Sequence, residues 1–153
     1  MIVFKVLDED VKSFMNEIYR GEAFSKMPVR YFEVDTYIKY KIDGYLDKNY
    51  IESDEDFILW EEVLPFALSA LKLKNLKPKS VKLEFCMSND LVKINDEVKS
   101  FLLYMQYDNE GVQLQSNVVL KEFSLNKHYI DEWNEFLLKF FKKYSIPIVT
   151  EEI

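Results

Sequence analysis

Reactive side chains are sparse in this chain, and each kind gathers in its own stretch. Asp43, Asp47, Glu52, Asp54, Glu55, Asp56, Glu61 and Glu62 form an acidic run opposed only by Lys48. A hard-cation cage needs oxygens converging on a rigid loop, and an EF-hand needs fixed ligand spacing around a central glycine. Neither spacing is present, so the acids read as helix-start and solvated-loop residues, and no metal ligand is assigned. Lys72, Lys74, Lys77, Lys79 and Lys82 run without an acid until Glu84, a basic patch able to contact phosphates. A solvated loop balancing nearby acids is the plainer reading. His128 and Cys86 are each the single residue of their type. A Cys–His nucleophile needs the two within hydrogen-bond reach, whereas one lies beside an expected helix start and the other on an expected strand. No Ser-centred elbow, CxxC, HExxH or GxGxxG accompanies them. No catalytic residue, no cofactor-binding residue and no cofactor is expected.

Aromatic residues are the remaining candidates. Tyr31, Tyr37, Tyr40, Tyr45 and Tyr50, with Phe32, crowd one ribbon. Rings of this kind stack on nucleic-acid bases. The odd positions, however, read Tyr31, Glu33, Asp35, Tyr37, Lys39 and Lys41, a mixed-charge face better suited to a protein partner. Tyr31, Tyr37 and Lys39 are therefore the expected interaction surface, although cross-strand packing accounts for the rings equally well.

These residues must be positioned by a small set of elements. The clearest is a helix over Asn126–Tyr144, where Tyr129, Ile130, Trp133, Phe136, Leu137, Phe140, Phe141 and Tyr144 recur at helical steps. Asn126 is its expected N-cap, and Pro147 marks the chain beyond its end. Upstream, Met1–Leu7 reads as a strand. Asp8 caps a first helix with Val11, Phe14, Met15, Ile18 and Tyr19 on one face, stopped by Gly21. Phe32, Val34, Thr36, Ile38, Tyr40 and Ile42 alternate with polar residues, an antiparallel ribbon with a turn or bulge near Val34–Tyr37. Tyr50-Ile51 is a further short pairing segment. Ser53 to Asp56 has capping-box spacing for a second helix carrying Phe57, Trp60, Leu64, Leu68 and Leu71, which Pro65 should kink or split. Strands follow at Val81–Met87 and Phe101–Tyr107, with one helical turn expected between them and a hairpin at Asp108–Gly111. The apolar phase then shifts from Val112 and Leu114 to Val119 and Phe123, which predicts a bulge or turn around Ser116-Asn117. Residues 11–46 and 57–115 run through the same order of elements.

The chain's 153 residues suit one domain, 1–153, with a sizeable core. With 48% hydrophobic and 16% aromatic residues it is not a disordered chain. A net charge of −7 argues against a general nucleic-acid binder. One cysteine forms no internal disulfide, which points to a reducing compartment. The N-terminal stretch has no basic leader, and no run is long enough to span a membrane. A cytoplasmic protein away from membranes is expected.

Ser13-Phe14-Met15-Asn16, Ile42-Asp43-Gly44, Trp60, Pro65-Phe66, Phe123-Ser124-Leu125, Trp133 and Ile146-Pro147 together resemble a family of small bacterial proteins known only as a domain of unknown function. The likeness spans nearly the full length and implies no activity. It departs from that family at Leu64, where an arginine is usual, and at Lys72-Leu73-Lys74, where a Gly-Lys pair is usual. A weaker likeness, in element order over residues 1–125, is to one domain of a DNA sliding clamp. The outer face of the first helix holds Asp10, Lys12, Asn16, Glu17 and Arg20, whose charges cancel, so encircling DNA is not expected. The fold expected is α+β, an antiparallel sheet with two helices plus a long aromatic C-terminal helix, with a DNA-clamp-like arrangement as one form of it. The function expected is a small non-catalytic binding module with a protein partner. The alternatives are a clamp-like nucleic-acid-associated protein and an enzyme of unrecognised type.

Overall fold

The computed structural model describes residues 2–123 and 128–152. In chain order the elements are β1 (Ile2–Val6), α1 (Val11–Arg20), β2 (Pro28–Asp35), β3 (Lys39–Asp43), β4 (Ile58–Leu59), α2 (Trp60–Leu71), β5 (Ser80–Ser88), α3 (Asn89–Val92), β6 (Val98–Asp108), β7 (Gly111–Leu120), α4 (His128–Lys143) and β8 (Val149–Glu152). The fold is α+β. One 8-stranded antiparallel sheet runs β3-β2-β5-β6-β7-β1-β8, with β4 pairing β2 beyond the end of β3. No helix among the described residues is long and apolar enough to cross a membrane.

Period-two alternation builds the sheet. Phe32 and Val34 face Leu83 and Val81, which in turn oppose Met105 and Tyr107, so the apolar sets of three strands share one face. Leu114 and Val112 continue that face across β7 to Phe4 and Val6. The β2–β3 turn falls at Thr36–Ile38, where Thr36 donates its N–H to the Ile38 carbonyl at 2.8 Å. The β6–β7 hairpin closes at Asn109-Glu110, and Gly111 takes the positive φ (112°) that favours glycine. The halves before and after residue 57 meet where β2 pairs with β5.

The helices cover the apolar face. α4 buries Tyr129, Trp133, Leu137 and Phe141, with Phe140 in edge contact with Phe24. The Trp133 indole donates to the Leu102 carbonyl at 2.9 Å, and its ring lies on Phe101 and Phe136. α4 ends without glycine. Ser145 takes φ 54° and donates to the Lys142 carbonyl, while Ile146 donates to the Phe141 carbonyl and packs into the core. That is a Schellman ending with its apolar contact. The expected cap, Asn126, lies outside the described residues. Across the sheet, Trp60 at the start of α2 donates its indole N–H to the Ile18 carbonyl of α1 at 2.7 Å.

Several expectations are corrected. Asp8 opens a 3-10 turn and makes no capping bond. Ser53 accepts the Glu55 amide at 3.1 Å in a local turn, and α2 begins only at Trp60. Phe57 instead forms an isolated antiparallel bridge with Tyr45, just before β4. Pro65 interrupts nothing, and α2 is one helix. Its core face is Trp60, Val63, Ala67 and Ala70, with the expected Leu64, Leu68 and Leu71 only half-covered. Tyr50 and Ile51 pair with no strand and are exposed. No break occurs at Ser116-Asn117: Ser116 stays inward, held by the Asn134 side chain of α4, and the bulge lies on the partner strand between Val98 and Ser100. β8, beside β1, has no counterpart in the sequence reading.

Candidate functional site

The alternation that buries one face of the sheet presents the other, and the helices leave its centre uncovered. There Tyr31 of β2 and Tyr104 of β6 flank Glu84 of β5, with ring centroids 6.4 Å apart. Arg30 reaches Glu84 at 3.2 Å, while Lys41 and Lys82 approach Glu33 at 3.5 and 3.7 Å. The Tyr104 hydroxyl donates to Gln106 at 3.1 Å, and the Gln106 amide donates to Asp108 at 3.0 Å, so a polar chain runs along β6. The result is a shallow furrow of about 460 Å3 that Tyr31, Tyr45 and Tyr104 line together with the paired charges of Arg30, Glu33, Lys41 and Lys82.

Burial sets the protonation of this face. It pushes the Tyr31 hydroxyl up to about 12, with neighbouring Tyr104 and Glu84 adding to the shift. Tyr104 is raised for the same leading reason. Glu84 is also raised, because the loss of water outweighs the attraction of Arg30. Burial raises the Cys86 thiol as well, so it is not poised as a thiolate. Because Tyr31 ionises later in the folded state than in the unfolded chain, its contribution to stability is complete below pH 10 and is lost between about 10 and 12. An absorbance titration of tyrosinate should therefore show a late-ionising class that moves to the ordinary range in denaturant. Tyr31→Phe should remove part of that class.

A second concavity lies on the helix side. α1 and α2 meet at the Trp60–Ile18 bond and part towards the other end of the sheet. A groove of about 1060 Å3 opens between them, with Met15 and Tyr19 on one wall, Leu68 and Leu71 on the other, and Val81 and Tyr107 in its lining.

The residues singled out from sequence do not form one surface. Tyr31 lies in the furrow. Lys39 pairs with Asp35 at the far end of β2, about 13 Å along the strand. Tyr37 is exposed at the turn with the Lys74 ammonium 4.9 Å from its ring centroid. The five lysines are likewise divided. Lys82 sits on the open face, Lys72 lines the helix groove, and Lys79 donates its backbone N–H to Asp35 at 2.7 Å. Lys74, Lys77 and Lys79 are exposed on the connection between α2 and β5. The acidic run serves its own loop: Asp43 and Asp47 accept the amides of Tyr45 and Asn49, and Lys48 faces Asp56 at 3.6 Å. Among the described residues no three of His, Cys, Asp and Glu come together as a metal group. Cys86 points to the open face, opposite the layer containing the helix that His128 begins. Sequence reasoning missed Arg30, Glu84 and Tyr104. The polar phase of β5 and β6 contained the last two, but their convergence on Tyr31 depends on strand order and register.

A family model, described as a family of unknown function (DUF5721), matches residues 17–148. No curated protein and no solved structure matches the chain.

Proposed function

We propose that this chain, which belongs to the DUF5721 family of unknown function, is a non-catalytic module that binds a protein partner across the open face of its sheet. The furrow around Tyr31 and Tyr104 carries this reading. Tyrosine and arginine concentrate at the energetic centres of protein interfaces, where rigid rings add contact area at little entropic cost. The surrounding charges are already paired, so the face can be covered without stranding an isolated ion. The hydroxyls stay protonated near neutrality, which suits hydrogen bonding rather than nucleophilic attack. We take the module to act in the cytoplasm, a reading that the lone, buried Cys86 supports.

The test is quantitative affinity capture from the source cell with the wild-type chain and with Tyr31→Ala/Tyr104→Ala. A partner retained by the first and reduced about tenfold by the second, at unchanged melting temperature, is the expected result. Equal capture by both chains would overturn the reading.

Nucleic acid is the less favoured partner. Arg30, Lys41 and Lys82 of the open face are each engaged with Glu84 or Glu33, and the whole chain carries −7. A few exposed lysines give only weak, salt-sensitive phosphate binding. A labelled duplex should therefore show no anisotropy change at physiological salt. Submicromolar binding weakened by Lys74→Glu or Lys77→Glu would promote the nucleic-acid reading.

A further inference from the structure

We propose that the chain associates with second copies of itself head to tail, the acidic loop between β3 and β4 of one copy docking on the lysine-rich connection between α2 and β5 of the next. Residues 47–56 hold Asp47, Glu52, Asp54, Glu55 and Asp56 against the single Lys48, and all six are exposed. Residues 72–79 hold Lys72, Lys74, Lys77 and Lys79 with no acid among them, and these too are exposed. The lysines do not balance the acids, as nearness in sequence suggests, because β5 keeps the two apart. That strand leaves the lysine connection at Ser80 and ends at Ser88, where Asp54, Glu55 and Asp56 line the same hollow. Its nine residues separate the two charged segments by about 27 Å, well beyond the Debye length at physiological salt. The neighbours of each segment have counter-charges of their own. Asp35 stands opposite Lys39 in the ladder, and Asp8 and Glu9 share their groove with Lys12 and Arg20. Arg30 is held by Glu84, and Lys99 shares its hollow with Asp90.

Both segments also present apolar side chains. Tyr50 is 93% exposed, with Ile51 exposed beside it. Leu76 is exposed among the lysines, next to Tyr37 under the Lys74 ammonium. The loop is ordered by its own bonds, so docking it costs little backbone entropy. Leu46 donates to the Asp56 carbonyl at 2.9 Å beside the Tyr45–Phe57 ring contact, and the Lys48 ammonium donates to the Ser53 carbonyl at 2.7 Å. The two surfaces differ and lie at opposite ends of the sheet, so the contact is heterologous and each pair keeps one unused surface of each kind. A net charge of −7 opposes association in general, which leaves this complementary pair as the place where copies attract.

The experiment is sedimentation velocity on the full chain over a range of concentrations. Species larger than the monomer should grow with concentration and dissociate as salt is raised. Lys74→Glu/Lys77→Glu and Asp54→Lys/Glu55→Lys, all at exposed positions, should each weaken association about tenfold or more. Tyr50→Ala should weaken it about tenfold as well. Mixed in equal amounts, the two double variants should form a one-to-one pair and nothing larger, because one intact loop and one intact connection remain to meet. A chain that stays monomeric at every concentration would overturn the proposal. So would an assembly that neither double variant dissociates, or double variants that remain apart when mixed.

Discussion

Trp133→Ala loses about 3–5 kcal/mol of folding free energy, the range for truncating a packed aromatic, and melts roughly 6–20 °C below the parent chain. Trp133 is fully buried, and its ring packs on Phe101 at 5.1 Å and on Phe136 at 5.4 Å between centroids. Alanine also removes the indole donor to the Leu102 carbonyl. Two mechanisms therefore act together, the cavity and the lost hydrogen bond. Trp133→Phe separates them, because it keeps much of the volume and loses the hydrogen bond, and it should fall between parent and alanine. Tyr144→Ala, near the exposed end of the same helix, should stay within about 0.5 kcal/mol. Thermal unfolding of the three variants by circular dichroism is the check. An unchanged melting temperature for Trp133→Ala would remove α4 from its place in the core.

Gly44→Ala is the second large effect expected, and it acts through the backbone. Gly44 lies between β3 and β4, both paired to β2, donating to the Arg30 carbonyl and accepting from the Ile58 amide, each at 2.9 Å. A Cβ at this position would fall 1.8 Å from the Val29 carbonyl oxygen. Main chain held on both sides by the ladder cannot swing aside as a flexible side chain would. The cost is at the top of the usual overpacking range, about 3 kcal/mol. Gly21→Ala provides the contrast. Its added methyl meets only the far end of the Glu17 side chain, which can rotate away. Chemical denaturation should show a large loss for Gly44→Ala and a small one for Gly21→Ala. Similar losses at both sites would contradict the close approach at Gly44.

Elements whose own pattern carries the signal were legible. β2, β5 and β6 alternate over much of their length because one face of each lies on the core, and α4 shows its stripe because every buried ring lies on one side. Ser53 misled because its local turn has the spacing of a cap, and nothing nearby reveals that Phe57 pairs with Tyr45. β8 was invisible because Val149–Glu152 lacks alternation and owes its form to β1. The inward phase of β7 was hidden by Ser116, a polar residue whose partner, Asn134, comes from another element. Both stripes of α2 are apolar, so periodicity alone does not choose which one meets the sheet. The furrow was half-legible: Tyr31 stood out by type, while Arg30, Glu84 and Tyr104 became neighbours only through register. The same limit scattered Tyr37 and Lys39, which are close to Tyr31 in number and not in space.

The position of β1 has a consequence for how the chain is made. Ile2–Val6 is hydrogen-bonded on one side to β7 and on the other to β8, so both its partners leave the ribosome long after it does. The β5–β6–β7 meander closes through local pairing, whereas β1 must wait for residues distant in sequence. Until then Val3, Phe4 and Val6, all buried in the finished fold, travel as an unpaired apolar strand. A chain stalled before Gly111 has no native edge to offer that strand, which makes nascent and truncated forms natural clients for chaperones and targets for proteolysis.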